Sequence, residues 1–537
     1  MDKLLFSLSF LLLLFLSFFN SELGTLFFAN DQALSFAVVR QMLEGNIVLA
    51  GPPSHVGGRH LGPYFYWWLA IPYWLADGDV LRTARIASLL QLFSLIPLTL
   101  LLGKLFPLIS RWRLATGLCL TLSLSYLDTI RIPWHPHLLL PLSSLFLLST
   151  LAVHQKGAKA VGPWLLLGSV LVQTHIASAP LVAAVGLVTF VCLILKFHSA
   201  SDQLRNLVSF FIRFLPWLTA LILSWAPALY YEFYYDQNIA RLFGVHGSGT
   251  EVPAGLKEAI QSGVLFLLHF AFGQMQLFEG GWAWLVYALI LLLSALVVRP
   301  QISALLNSTT VTKVPNGGFY LAIAAGFLAT AFALAGFKAP LYEYYWSALL
   351  PVPALLGGAI FAAHLDSIKT SRSHTIAALL LLTYALGIYW QNQQHYSYQP
   401  FLPYHTAAHS KAVAELAKQQ SQNEERIEIF PRLHAMVSRN AYYYFLGPEY
   451  FNAMEVSWKF KELPLAPAGE PIEASLQTNI AFMVVCPRPY RSTLKTMMAE
   501  IRKRWDKQAD FIPEDKAFAG CFVRQLARRE RKQLGAN

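Results

Sequence analysis

About eleven separated apolar runs divide this chain, each near the ~20 residues that a helix needs to cross a bilayer. They fall approximately at 4–22, 84–105, 114–130, 136–154, 162–179, 180–197, 213–231, 281–298, 318–336, 343–364 and 375–391. In hydrocarbon every backbone polar group must be satisfied internally, so runs of this length predict an α-helical polytopic bundle. A membrane β-barrel would show short alternating strands instead. Only 13% of the residues are charged, against about 25% in soluble domains, which agrees with a chain that lives in lipid. The first run follows a single lysine like a signal peptide. Its end, Ser17-Phe18-Phe19-Asn20, lacks a small-x-small cleavage pattern and reads as a retained span.

Charge sets the expected orientation. The net charge of +11 resides largely in short loops: Lys104, Arg111 and Arg113; Lys156 and Lys159; Lys196, Arg205 and Arg213; Arg299 and Lys313; Lys369 and Arg372. With the amino terminus inside, all of these fall on the cytoplasmic side, so the basic balance reflects topology rather than a nucleic-acid partner. The first loop (23–83), the 128–135 turn, the 232–280 loop and the tail (392–537) then face outward. Segment 262–278 is apolar but short and carries His269, Gln274 and Gln276. It reads as an interfacial helix along the outer surface. The expected site is an inner (plasma) membrane, with the chemistry and the tail on the periplasmic or extracytoplasmic side.

Two domains are expected: a transmembrane domain over 1–391 and a soluble domain over 392–537. In the tail, 426–430, 480–485 and 518–524 read as strands and 490–507 as an amphipathic helix, giving an α/β or α+β domain. Cys486 and Cys521 could form a disulfide or be two free buried thiols; Cys119 and Cys192 lie in apolar runs and read as core.

The outer polar residues concentrate the candidates for chemistry. Asn30-Asp31-Gln32 opens a short amphipathic helix just beyond the first span, with Ala33, Leu34, Phe36, Ala37, Val38 and Met42 on its apolar face. Asp31 is there either as a helix cap or as a carboxylate whose partial burial raises its pKa toward that of a general base. Gly62-Pro63-Tyr64-Phe65-Tyr66-Trp67-Trp68 is an aromatic run suited to the bilayer interface or to sugar faces. Arg82 and Arg85 lie at the outer end of the second span, against the positive-inside tendency. They either snorkel or bind a lipid-linked phosphate. His55, His60, His135, His137, His246 and His269, with Glu232, Glu251 and Glu279, leave a divalent metal open, although none shows the spacing of a metal motif. His175, near a helix end, reads as a satisfied polar residue. No nucleotide-binding loop and no certain cofactor are evident.

Taken together these residues resemble the polytopic GT-C glycosyltransferases of the protein O-mannosyltransferase and lipid A aminoarabinose-transferase type. The matching features, in order, are Asn30-Asp31-Gln32 and its helix, Gly62-Pro63-Tyr64-Phe65-Tyr66-Trp67-Trp68-Leu69, Arg85-Ile86-Ala87-Ser88, Trp134-His135-Pro136-His137, Gln173-Thr174-His175, Pro227 to Glu232, and Tyr342-Glu343-Tyr344-Tyr345. The resemblance is strongest over 1–235 and does not reach the tail. It implies a transfer of sugar from a polyprenyl-phosphate donor to an acceptor hydroxyl of a lipid, glycan or protein, on the outer face and with inversion. Asp31 maps onto the catalytic base and Arg85 onto the donor-phosphate arginine, with Arg59 and His60 beside it. Tyr64, Tyr66, Trp67, His135, His137, Glu232 and Tyr344 are the candidates for substrate contacts. Where the family commonly has Asp-Glu, this chain has Asp31-Gln32. The alternatives are a transporter or lipid flippase of the cell envelope, and a non-catalytic assembly protein. Transporters usually place polar residues at mid-membrane in paired repeats, whereas here they gather at one face.

Overall fold

The computed structural model describes residues 2–19, 26–28, 30–54, 58–198, 203–234, 238–239, 255–272, 316–336, 343–367, 407–420, 427–433, 480–486 and 522–526. Internal contacts divide the chain into two units. The first comprises Met1–Asn20, Leu49–Phe65 and Ala87–Ile388; the second comprises Ser21–Val48, Tyr66–Ile86 and Tyr389–Asn537. Two pieces of the 23–83 loop therefore group with the tail.

The first unit is a helical bundle. Helix α1 (Asp2–Leu14) runs into a π turn (Phe15–Phe19), and α2 (Asn30–Leu43) and α3 (Tyr64–Leu75) belong wholly or mostly to the second unit. Helix α4 (Val80–Gln91) continues through a 3₁₀ turn into α5 (Leu95–Leu105). Next come α6 (Arg111–Ser125), α7 (Leu127–Arg131), α8 (Leu139–Lys156), α9 (Val161–Thr174), α10 (Ala179–His198) and α11 (Gln203–Tyr234). Among the described residues the bundle continues with α12 (Leu256–Phe272), α13 (Gly317–Ala335) and α14 (Pro351–Ser367). Among the described residues Val80–Leu105, Ile176–Leu195, Phe214–Tyr234 and Gly317–Ala335 are long and apolar enough to cross a membrane. The chain is an integral membrane protein. The expected spans at 281–298 and 375–391 lie outside the described residues.

Polar contacts tie the basic ends together. Arg113 pairs with Asp2 at 3.1 Å, joining α6 to α1. Lys104 donates to Gln155 (3.1 Å) and Gln155 donates to Asn316 (3.2 Å), joining the ends of α5 and α8 to the start of α13. The ends that carry Asp2 and Arg113, and those that carry Lys104, Gln155 and Asn316, thus lie at one end of the bundle. The aromatic and histidine-bearing turns at 131–138, 175–178 and 343–350 lie at the other.

Small residues let the helices approach. A Cβ on Gly117 of α6 would lie 2.2 Å from the Gly358 carbonyl oxygen of α14, and one on Gly357 would lie 2.6 Å from the Ala271 carbonyl of α12. Such close backbone crossings are how helices associate in lipid, where apolar side chains gain nothing by leaving the solvent. The same junction corrects the expectation for 262–278. Gly263 of α12 faces the Trp346 ring, and Ala271, two turns on, faces Gly357. Over its described length, Leu256–Phe272, helix α12 therefore packs against the Trp346 turn and α14 within the bundle, while 273–278 lie outside the described residues. Its Phe266 and Ala271 are fully enclosed. Apolar residues that suit a lipid interface suit a glycine-lined helix groove equally well, and the glycines of α14 decide between them.

In the second unit, Gln32 to Val39 of α2 are all buried, so this stretch is enclosed on every side rather than amphipathic at a surface, while the last turn, Arg40 to Leu43, is partly exposed. Phe36 packs edge-on against Phe28 (5.2 Å) and Tyr73 (5.8 Å). Helix α15 (Ala407–Gln420) meets this unit where Ala407 N donates to the Leu26 carbonyl at 3.1 Å. The tail also holds a three-stranded sheet in the order β1 (Ile427–Leu433), β2 (Ile480–Cys486), β3 (Phe522–Leu526). β1 pairs parallel to β2 and β2 antiparallel to β3. These are the three segments whose apolar patterns read as strands, and β2, the continuous apolar run, is the central one. The expected helix at 490–507 and Cys521 lie outside the described residues.

Candidate functional site

Three histidines from distant parts of the sequence converge at the non-basic end of the bundle. His60 is presented by a hairpin. Gly51 N donates to the His60 carbonyl, His60 N to the Pro52 carbonyl and Ser54 N to the Gly58 carbonyl, each at 2.9 Å. Prolines fit here because they only accept. Gly58 takes φ +66°, which side chains resist, and a Cβ on Gly51 would lie 2.8 Å from the Gly62 carbonyl. The hairpin is fastened to the bundle at three places. Gly62 N donates to the Gln173 carbonyl (2.9 Å), Leu61 packs with Ala228, and Asn238 brackets Arg59, accepting from its N–H (2.6 Å) and donating to its carbonyl (3.0 Å). Glu232, at the end of α11, accepts from Ile239 N at 2.5 Å and so holds the Asn238 segment.

His135 sits on a tight turn, where His137 N donates to the Trp134 carbonyl (2.9 Å) and His137 Nδ1–H donates to the Ile132 carbonyl (2.9 Å). His175 ends α9 in an extended conformation, φ −152°, ψ 112°, fixed by Ser178 Oγ donating to the carbonyls of His175 (2.7 Å) and Leu171 (3.0 Å). The ring centroids of His60 and His135 are 4.7 Å apart, those of His60 and His175 4.5 Å, and those of His135 and His175 5.2 Å. All three side chains are buried, within a collar formed by Phe65, Trp134 and Tyr344.

Burial, followed by repulsion from neighbouring histidines, holds His60 and His135 well below the usual histidine range. Both are neutral imidazoles at neutral pH, the form that ligates a metal. Among the described residues, the buried Nδ1 atoms of His135 and His175 have no hydrogen-bond partner, nor does Nε1 of Trp134, whose ring packs against His135. A buried polar atom left so costs about 1–3 kcal/mol, and three on adjoining rings mark a place shaped for something other than the chain itself.

The other candidates fall as follows. Asp31 is exposed in the first turn of α2, beyond the enclosed stretch, and not partly buried as expected. The adjacent Gln32 is 1% exposed. Arg85 is half-buried on α4, whereas Arg82 is exposed and its N–H is capped by Asp79 Oδ1 (2.7 Å). Tyr66 is buried and Trp67 exposed on α3. Asp31, Tyr66, Trp67 and Arg85 belong to the second unit; Arg59, His60, Tyr64, His135, His137, Glu232 and Tyr344 belong to the first. Within the first unit, the structure brings His60, His135, His137 and Tyr344 to one place through Trp134, which stacks edge-on against His137 (5.4 Å) and Tyr344 (5.0 Å). Arg59 donates to the Gly51 carbonyl (3.2 Å) and Tyr64 OH to the Ser224 carbonyl (2.7 Å), so both fasten the hairpin. His55, His246, Glu251 and Glu279 lie outside the described residues. His175 was missed as a site residue because its partners come from loops remote in sequence. Its place at the end of an apolar helix was the available signal.

The chain overlays on the apo crystal structure of ArnT from Cupriavidus metallidurans, with a TM-score of 0.50 over 97% of both chains at 10% identity. The fold is that of ArnT. A second solved structure, the Archaeoglobus fulgidus oligosaccharyltransferase in complex with Zn and sulfate, overlays on 81% of this chain and 61% of its own length, with a TM-score of 0.41 at 12% identity. No protein-family model and no curated protein sequence matches the chain.

Proposed function

We propose that this GT-C chain is a membrane glycosyltransferase that moves a sugar from a polyprenyl-phosphate donor to an acceptor hydroxyl on the outer face of the membrane. The full-length GT-C overlay carries the reading. Asp31 is the proposed base. It projects from the open end of an otherwise enclosed helix, where a carboxylate is accessible yet held by a rigid element. The carboxylate takes the proton of the acceptor hydroxyl as its oxygen attacks the anomeric carbon. The bond from that carbon to the phosphate oxygen breaks, the configuration inverts, and the polyprenyl phosphate leaves with the electron pair. One base suffices because phosphate is a good leaving group. The buried environment of residue 32 suits a neutral amide, which accounts for Gln32 in place of an acid.

Arg85, in the same unit as Asp31, is the proposed partner of the leaving phosphate, through a guanidinium fork matched to its oxygens. Arg85→Gln keeps a long polar side chain and removes the charge. The expected result is a fall in kcat/KM on the order of 100-fold, recovered in part by Lys and measured with a purified lipid-linked sugar. An unchanged kcat/KM removes Arg85 from the site.

Mass analysis of envelope lipids, glycans and proteins from a deletion strain tests the function. The expected outcome is loss of one sugar-bearing species and accumulation of a polyprenyl-phosphate sugar. Unchanged glycosylation in the deletion, or transport by proteoliposomes that needs no sugar donor, overturns the reading.

A further inference from the structure

We propose that His60, His135 and His175 bind one divalent transition-metal ion of the zinc class. One ligating nitrogen from each ring lies within 4.8 Å of those from the other two. Ring centroids around a tetrahedral zinc, with Zn–N near 2.0–2.1 Å, stand roughly 5 Å apart. The three rings here are separated by 4.5–5.2 Å. Modest rotation of the rings would close the nitrogens to the ~3.4 Å separation that coordination requires.

A satisfied core histidine would have its ring nitrogens hydrogen-bonded, but His135 and His175 each have a buried Nδ1 with no partner among the described residues. Three buried imidazoles packed ring to ring repel once charged, whereas three neutral ones present lone pairs that a single cation satisfies together. Imidazole-only sets suit zinc, copper, nickel or iron rather than magnesium or calcium, which take oxygen ligands. Three protein ligands leave a fourth position for water or an oxyanion, as in a catalytic rather than a purely structural zinc site. His60 is the least committed ligand: its Nδ1 accepts a 3.3 Å bond from Ile176 N–H, which coordination must displace or accommodate. The Trp134 ring packs against His135, and its unmet Nε1–H is available to a metal-bound water or anion.

The inference stands apart from the transfer reading, because its test measures metal. The full-length protein is purified in detergent without a histidine tag, stripped with a chelator, dialysed against micromolar zinc chloride and assayed for metal. The expected content is about one zinc per chain. His135→Gln and His175→Gln should each lose it, while His269→Gln, outside the cluster, retains it. Cobalt in place of zinc should give the intense visible absorption of a four-coordinate ion, absent from the same two variants. A zinc content in the wild type no higher than in the His135→Gln/His175→Gln double variant overturns the site. Should the variants fail to fold, the wild type decides alone. Zinc should raise its melting temperature by binding the native state, and X-ray absorption should show three nitrogen neighbours near 2.0 Å. No thermal shift, or a shell of oxygen only, overturns the proposal.

Discussion

Asp31→Asn is expected to lower sugar transfer by roughly 10²–10⁴-fold, the range that a positioned general base contributes. Asn keeps the size and hydrogen-bonding capacity that an N-terminal helix position favours. Asp31 is exposed, so the change is made in contact with solvent rather than in the packed interior. Folding, expression and donor affinity should therefore match the wild type, and the loss should appear in kcat alone. The acid limb of the pH–rate profile should vanish with the carboxylate. Transfer at the wild-type rate by a folded Asp31→Asn protein would remove this residue from the chemistry.

The second large effect is structural. In Gly117→Leu even the first carbon of the new side chain meets the Gly358 carbonyl at 2.2 Å, a backbone atom that cannot rotate away. Helices α6 and α14 must separate, and α12, which packs on the same seam through Gly357, loses its groove. The expected cost is about 3 kcal/mol or more, near the upper end of overpacking penalties, with a sharply lower melting temperature in detergent. Gly103→Ala is the matched control: its nearest neighbours are the flexible Arg111 side chain at 3.9 Å, and it should melt like the wild type. Equal melting temperatures for the two variants would mean that the α6–α14 crossing does not hold the bundle together.

What was legible in the sequence follows from the range of the forces involved. Spans such as Val80–Leu105 and Gly317–Ala335 are written in local hydropathy, because lipid judges each segment by itself. The strand Ile480–Cys486 was equally plain as a continuous apolar run between polar flanks. Helix α2 was visible, but its enclosure was not. Gln32 and Ser35 look like a solvent face until the chain folds over them, and Ser35 Oγ turns back to the Asp31 carbonyl at 2.7 Å. The path of α12 depended on Gly357 in another helix. The histidine cluster was hidden for the same reason. No spacing motif links His60, His135 and His175, since each comes from a different turn and only the bundle brings them together.

The fastening of the Leu49–Phe65 hairpin has a consequence for motion. His60 accepts from Ile176, Gly62 donates to Gln173, and these two partners flank His175 on either side. The loop and the end of α9 are thus laced together across the very residue they share, and Asn238 ties the hairpin from the opposite direction. It cannot swing on a single hinge as a flap would; releasing it means breaking the ladder, the lacing and the Asn238 bracket in one event. The amides of Gly51, His60 and Gly62 should accordingly exchange with deuterium slowly and at a common rate, behaving as one cooperative unit with the end of α9. A ligand arriving at this end of the bundle meets a surface already set in shape, and selects by fit rather than by closure.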